Sequence, residues 1–242
     1  MSTKRITKKQ AAETARMAEI VERLKDIYPD VVCALEWGGQ HGGEPDFLLR
    51  EGWKLLVMGR LSAQCTDARV NVVCRDLFGK FPTVQAMADG AVEDIEAIVR
   101  PCGLYHTKAQ NVKDACRILA EDYGGIVPDD MDALLALPGV GRKIANLLLG
   151  DIYKKGGVVT DTHCIRICGR LGFYPETVKE PLKVERILTP LIPAAEQSDF
   201  CHRIVQFGRD TCTARSPKCD ICPLRELCCH RQAALKAVKA RE

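Results

Sequence analysis

Two polar residues and a group of cysteines carry most of the chemistry legible in this sequence. Lys143 closes the segment Leu137-Pro138-Gly139-Val140-Gly141-Arg142-Lys143, which lies between two apolar helical runs. Pro138 ends the first run and the glycines turn the chain into the second, which makes a helix-hairpin-helix. The backbone N–H groups of Gly139, Val140 and Gly141, followed by Arg142, stand beside a helix N-terminus. Glycine lets another backbone approach closely there and the helix dipole favours an anion, so a DNA phosphate fits. A plain turn between two helices is the other reading of the same residues. Lys143 falls in the first turn of the second helix, where the dipole and partial burial disfavour an ammonium and leave a nucleophilic amine. The alternative is a solvated or phosphate-pairing lysine, the commoner state of this residue.

Asp161 follows in Val159-Thr160-Asp161-Thr162-His163, ahead of a helical stretch bearing Ile165, Ile167 and Leu171. It is expected to cap that helix. A capping carboxylate stays ionised, and an anion beside a sugar stabilises an oxocarbenium-like transition state or takes protons from an attacking amine. A purely structural cap is the competing role.

Thirteen cysteines in a chain whose first residues lack the apolar core of a signal peptide are expected to serve metal ligation or remain free thiols more than to form disulfides. Cys33, Cys65, Cys74, Cys102, Cys116, Cys164 and Cys168 are scattered among apolar neighbours and read as small packing residues, as does Cys201. Cys212, Cys219, Cys222 and Cys228 are different: their C-x6-C-x2-C-x5-C spacing brings four thiolates together from one short loop. Zinc and an iron-sulfur cluster both suit such a set. Cys229, adjacent to Cys228, reads as a spare thiol, and Arg215 and Lys218 are placed to meet a phosphate backbone.

The elements that must position these groups are helical. Met17, Ile20, Val21, Leu24 and Ile27 share one face, as do Val70, Val73, Cys74 and Leu77, and then Val112, Ala115, Ile118 and Leu119. Stops are expected at Pro29, Gly79, Pro101 and Gly124-Gly125, and N-caps at Asp67, Thr107 and Asp130. No two-residue alternation persists, so an all-α fold is predicted. Glycine-rich stretches at EWGGQHGGEP and Lys154-Lys155-Gly156-Gly157 predict a helical domain of residues 46–155 and a discontinuous one of 1–45 plus 156–242. A composition of 46% apolar and 28% charged residues suits a folded globular chain. The net charge of +3 is a weak pointer to a polyanion, although the first ten residues carry four bases and no acid. No run approaches the ~18 apolar residues of a membrane helix, so a cytoplasmic protein is expected.

Taken together, LPGVGRK, the Asp161 of TDTH and FGRDTC with the following cysteines resemble the endonuclease III family of helix-hairpin-helix DNA glycosylases. LSAQCTD at 61–67 and GLYHTKAQN at 103–111 add two further family segments in the right order. The resemblance implies a six-helix domain and a second helical domain with the active site in the cleft between them, and a structural [4Fe-4S] cluster on the four cysteines. It implies that Lys143 attacks C1′ of an extruded nucleotide, expels the base and cuts the strand by β-elimination from a Schiff base, with Asp161 assisting. Gln64 then fills the gap left by the flipped base, Leu104 wedges the opposite strand, and Gly139, Val140, Gly141, Arg142 and His163 contact DNA. Unstacking a nucleotide costs a few kcal/mol, which gives such fillers a purpose. The implied partner is double-stranded DNA with oxidised pyrimidines or abasic sites, bound by a monomer in a bacterial or archaeal cytoplasm at the nucleoid.

Four features depart from the family pattern: a longer connection at 38–51, Gly59-Arg60 in place of an aliphatic pair, Thr160 in place of an aliphatic residue, and a long, charged tail after Cys228. An adenine-mismatch glycosylase, which shares hairpin and cluster, lacks a lysine at the position of Lys143. A non-catalytic DNA-binding module with zinc in the quartet has no need of Lys143 and Asp161 together.

Overall fold

The structure is a computed structural model that describes residues 8–239; residues 1–7 of the basic N-terminal run lie outside the described residues. Every regular element among the described residues is a helix, as the periodicity predicts. The chain divides into two compact units, residues 32–157 and the N-terminal segment through Val31 together with Val158 onward.

Helix α1 (Lys8–Ile27) begins the discontinuous unit and buries Ile20, Val21 and Leu24. The chain then enters the continuous unit earlier than the glycine-rich stretch suggests. Cys33, Leu35 and Trp37 are buried, and Asn71 pins this segment by accepting from the Glu36 N–H (3.1 Å) and donating to the Ala34 carbonyl (3.0 Å). These contacts hold residues 32–37 to the body of the unit, so the boundary falls at 31/32, not at 45/46. At the far end it falls at 157/158, two residues beyond the expected 155/156.

Seven helices build the continuous unit: α2 (Pro45–Leu61), α3 (Asp67–Lys80), α4 (Val84–Asp89), α5 (Val92–Val99), α6 (Tyr105–Asp122), α7 (Met131–Ala136) and α8 (Arg142–Asp151). The resemblance implies six; α4 and α7 have only 6 residues each, too short to show a period. Pro45 opens α2 at a position where its missing N–H costs nothing. Thr66, one residue before the expected Asp67, caps α3, and Asp130 caps α7 by accepting from the N–H groups of Asp132 and Ala133 at 3.0 Å. Thr107 is no cap, because α6 starts two residues earlier, after Leu104. Gly79 lies inside α3, while Gly124 and Gly125 end α6 with φ of 59° and 84°.

Helix α6 packs against α4, α5 and α2, and α2 packs on α8. The α2–α8 contact depends on two glycines one heptad apart. A Cβ at Gly52 would meet Ile152 Cδ1 at 2.6 Å, and one at Gly59 would meet Ile144 Cγ2 at 3.3 Å. The unusual Gly59 therefore serves helix packing.

The chain returns to the discontinuous unit with α9 (Thr162–Leu171), α10 (Pro181–Leu188), α11 (Gln197–Asp210) and α12 (Cys229–Lys239). Helix α9 packs on α11 and α12, and α11 also meets α1. The scattered cysteines take the packing role expected of them: all are buried except the half-buried Cys65.

Candidate active site and cluster site

In the continuous unit, α7 and α8 are joined by Leu137–Gly141, the predicted helix-hairpin-helix turn. Leu137 and Val140 are buried and anchor it from below, and the Val140 N–H closes it on the Leu137 carbonyl (3.1 Å). Gly139 holds φ of 76°, and Gly141 caps α8 with no capping side chain. Orphan N–H groups at the start of α8 therefore have no side-chain acceptor from the cap position. Arg142 and Lys143, the first two residues of α8, are exposed. The partial burial expected for Lys143 is absent, because only the face of α8 that begins at Ile144 turns inward.

Arg60 lies directly under this turn. Its Nε donates to Asn111 Oδ1 (3.0 Å), and a Cβ at Gly139 would lie 2.6 Å from that Nε. The Gly59-Arg60 departure thus supports the hairpin, with Gly59 admitting α8 and Arg60 bracing Gly139.

Gln64 and Leu104 share an unusual backbone. Both are exposed, and both adopt positive φ, at 55° and 49°, which of the other non-glycine described residues only Lys154 does. Left-handed backbone is costly for residues with a Cβ and persists where the surroundings impose it. Leu104, 60% exposed, is among the most exposed large apolar side chains described.

In the discontinuous unit, Asp161 caps α9 as predicted: its Oδ1 accepts from the Cys164 N–H at 2.7 Å. His163 is half-buried with its ring against α11, where a Cβ on Gly208 would meet Nδ1 at 2.3 Å. Further along α9, Arg166 donates to the Cys212 carbonyl (3.1 Å), and Arg170 donates to the carbonyls of Thr213 (2.8 Å) and Ala214 (2.9 Å). Sequence reading passed over both arginines, although their four-residue spacing on one helix face was the available signal.

Cys212, Cys219, Cys222 and Cys228 line one cavity together with Arg170, Leu171 and Phe207. Burial pushes the thiols of Cys222 and Cys228 upward, and the neighbouring quartet sulfurs push the same way. Opposing this, the backbone at Leu224 hydrogen-bonds Cys222, and that at His230 and Arg231, the first turn of α12, hydrogen-bonds Cys228. Arg170 Nη1 adds a contact to Cys212 Sγ at 3.5 Å. Four sulfurs lining one cavity, with backbone hydrogen bonds to Cys222 and Cys228 and a guanidinium beside Cys212, are a donor set that a multiply charged cationic centre completes. Cys229 is exposed and outside this cavity lining, as expected of a spare thiol. Arg215 and Lys218 are exposed on the same loop.

Residues 57–194 match the profile of the HhH-GPD superfamily base excision DNA repair proteins, and 212–228 match the iron-sulfur binding domain of endonuclease III. The endonuclease III of Synechocystis sp. is 38% identical over 230 residues, covering 95% of this chain and 99% of that protein. This chain belongs to the endonuclease III family. It is a base-excision repair enzyme, a DNA glycosylase with associated lyase activity at abasic sites, and its C-terminal loop is an iron-sulfur cluster domain. Among solved structures, a non-covalent endonuclease III–DNA complex matches with a TM-score of 0.80 and 36% identity over 92% of this chain and 98% of that one. A trapped endonuclease III–DNA covalent intermediate matches with a TM-score of 0.79 at the same identity and coverage. The cluster-domain match begins at Cys212 and ends at Cys228, so it takes in the quartet and leaves out Cys229. A [4Fe-4S] cluster, not zinc, is therefore the centre this sulfur-lined cavity accommodates.

Proposed function

We propose that this member of the endonuclease III family removes oxidised or ring-saturated pyrimidines from double-stranded DNA and cuts the strand through a Schiff base on Lys143. The observation that carries this is the place of Lys143: exposed, in the first turn of α8, immediately after the glycine turn that suits a phosphate. The Lys143 nitrogen attacks C1′ through its lone pair as the bond from C1′ to the base breaks, and the base leaves with the electron pair and gains a proton. The amine gives up a proton and the sugar ring opens to an iminium. Loss of a C2′ proton then expels the 3′ phosphate, and water releases the lysine.

Asp161 is read as the proton acceptor and the anion that stabilises the oxocarbenium-like sugar. Its Oδ1 is committed to the cap, and among the described residues Oδ2 has no hydrogen-bond partner. Gly139, Val140, Gly141 and Arg142 are read as the phosphate grip, Val140 through its backbone alone because its side chain is buried. Gln64 and Leu104 are read as the residues that enter the duplex when a base is extruded. His163 is reassigned from DNA contact to seating α9 on α11, since its ring fills the space left by Gly208. Cys212, Cys219, Cys222 and Cys228 are read as the residues that would hold the cluster, whose iron would neutralise their thiolates and fix the loop bearing Arg215 and Lys218. In this reading residues 32–157 form the hairpin domain, the remainder forms the cluster domain, and the enzyme acts as a monomer on nucleoid DNA in the cytoplasm.

Borohydride trapping tests the reading. The protein is incubated with duplex DNA carrying thymine glycol or an abasic site, reduced, and run on a denaturing gel. A covalent complex that disappears in Lys143→Ala while DNA affinity holds is the expected result. Trapping that persists in Lys143→Ala would assign the Schiff base to another amine.

A further inference from the structure

Lys108 has an environment that the hairpin and the cluster do not explain. It is the fourth residue of α6 and its side chain is fully buried, at 0% exposure. Its Nζ donates to the carbonyl of Leu61 (2.9 Å) and to the carbonyl of Cys102 (2.8 Å). Among the described residues it has no carboxylate partner. Burying a lysine without a counter-ion is costly, and an apolar side chain of the same length would fill the space without that cost. The amine is therefore retained for what its N–H groups hold.

They hold the two turns that bear the positive-φ residues. Leu61 is the last residue of α2, three before Gln64, and Cys102 ends a short 3-10 turn (Arg100–Cys102), two before Leu104. The Leu61 carbonyl is one of those a helix C-terminus leaves without an intrahelical partner, so an N–H donor satisfies it in place of water. The backbone N–H of Lys108 also donates to the Leu104 carbonyl (3.0 Å), so this residue grips the Leu104 turn from both ends. The Cys65 and Cys102 side chains also interact, which brings the same two turns together a second time.

We propose that Lys108 is a positioning residue for damage recognition, which joins the turns of Gln64 and Leu104 into one pre-formed pair so that both side chains meet the duplex together. The proposal rests on the reading of those two residues as duplex fillers. Burial lowers the affinity of the Lys108 amine for its third proton, but ammonium and amine both keep two N–H donors, so the clamp does not depend on protonation. Without the clamp each turn relaxes on its own, and the fraction of molecules competent for extrusion falls.

The test compares Lys108→Met, which keeps length and loses the donors, with Lys108→Gln, whose amide still donates twice. Single-turnover base excision from a duplex with paired thymine glycol is measured beside strand cleavage at an abasic site in single-stranded DNA, where nothing need be unstacked. Lys108→Met is expected to slow excision from the duplex about tenfold or more while single-strand cleavage stays within about twofold, and Lys108→Gln to recover most of the loss. The same excision assay on Gln64→Ala/Leu104→Ala sets the reference, and adding Lys108→Met to it is expected to cost nothing further. If the Gln64/Leu104 variant is slowed and Lys108→Met is not, or if the effects add, the clamp is refuted and the filler reading stands. If the Gln64/Leu104 variant is as fast as the parent, the filler reading fails and takes the clamp with it. Should Lys108→Met fail to fold, equal slowing of both reactions by Lys108→Gln overturns the proposal, and slowing confined to the duplex supports it.

Discussion

Gly139 and Gly141 sit two residues apart in the turn read above as the phosphate grip, yet the structure assigns them different costs for an added methyl group. Gly139 holds φ of 76°, and its Cβ would lie 2.6 Å from Arg60 Nε, 2.8 Å from Arg60 Cδ and 2.8 Å from Asn111 Oδ1. Left-handed backbone costs an alanine about 1–2 kcal/mol. The crowding forces apart the 3.0 Å Arg60–Asn111 hydrogen bond, which at a half-buried site contributes about 1 kcal/mol more. Gly139→Ala is thus expected to destabilise by about 2–3 kcal/mol. Gly141 has φ of −101° and nothing within 4 Å of its Cβ position. Its loss as a helix cap is offset by the reduced freedom of the unfolded chain, so Gly141→Ala should stay within about 0.5 kcal/mol. Both variants should weaken DNA binding if the turn grips a phosphate as proposed, since both place a methyl group on that turn. Urea unfolding of the cluster-loaded protein separates the two effects, read as a shifted midpoint at constant slope. Arg60→Ala supplies the internal check: it removes the guanidinium and the hydrogen bond that the methyl would break but leaves the φ strain and Asn111, so the cycle with Gly139→Ala should show a coupling of about 1 kcal/mol. Equal destabilisation by the two alanines, or strict additivity in the cycle, would falsify the reasoning.

Asp161→Asn keeps a side-chain oxygen able to cap α9, so stability should hold within about 0.5 kcal/mol, while turnover falls about a hundredfold with the loss of the proton acceptor. Asp161→Ala should lose about 1 kcal/mol as well; an Asn variant with full turnover would leave Asp161 only its capping role. Burial pushes the Cys116 thiol up to about 12 from an ordinary value of 9.0. Because the folded state keeps this proton more tightly, its contribution is complete below pH 9 and is lost as pH rises toward 12. Cys116→Ala should therefore reduce the alkaline fall in stability by up to about 1.4 kcal/mol per pH unit across that window, and matching melting curves from pH 9 to 11 would rule this out.

Much of the chemistry was legible because it was local. The hairpin, the Asp161 cap and the cysteine spacing each lie within one short segment, where residue type and turn geometry fix the outcome. Helix faces such as Val70-Val73-Cys74-Leu77 were legible for the same reason, since period and burial coincide. What escaped was long-range. Lys108 stands in GLYHTKAQN as one more charged residue, and only the fold brings the carbonyls of Leu61 and Cys102 to it. The Asn71 contacts that carry the boundary to residue 32 span more than thirty positions and leave no trace in composition. In the sequence the Gly59-Arg60 pair reads only as a departure from an aliphatic pair; in the fold the two residues seat α8 and the hairpin turn, because Gly139 lies against the guanidinium. Thr107 failed as a cap because a left-handed Leu104 starts α6 sooner, and no propensity scale anticipates that.

Helix α9 connects the carboxylate to the cluster loop, and the direction of support follows from what each side buries. Asp161 caps one end, while Arg166 and Arg170 hold the carbonyls of Cys212, Thr213 and Ala214 and Cys228 Sγ lies 3.4 Å from the Arg170 carbonyl. From cap to Arg170 the helix rises about 14 Å, a rigid span at this length. Its inner face, with Cys164, Ile167, Cys168 and Leu171, is buried, and the helix packs on α11 and α12. The 212–228 loop, in contrast, contributes only Leu224 to the buried apolar core and is fastened at Cys212 by arginine-to-carbonyl bonds. The loop therefore leans on α9 more than α9 leans on the loop. In the proposed reading the cluster shapes the loop and its exposed Arg215 and Lys218, whereas the seat of Asp161 is secured by apolar packing that no metal supplies.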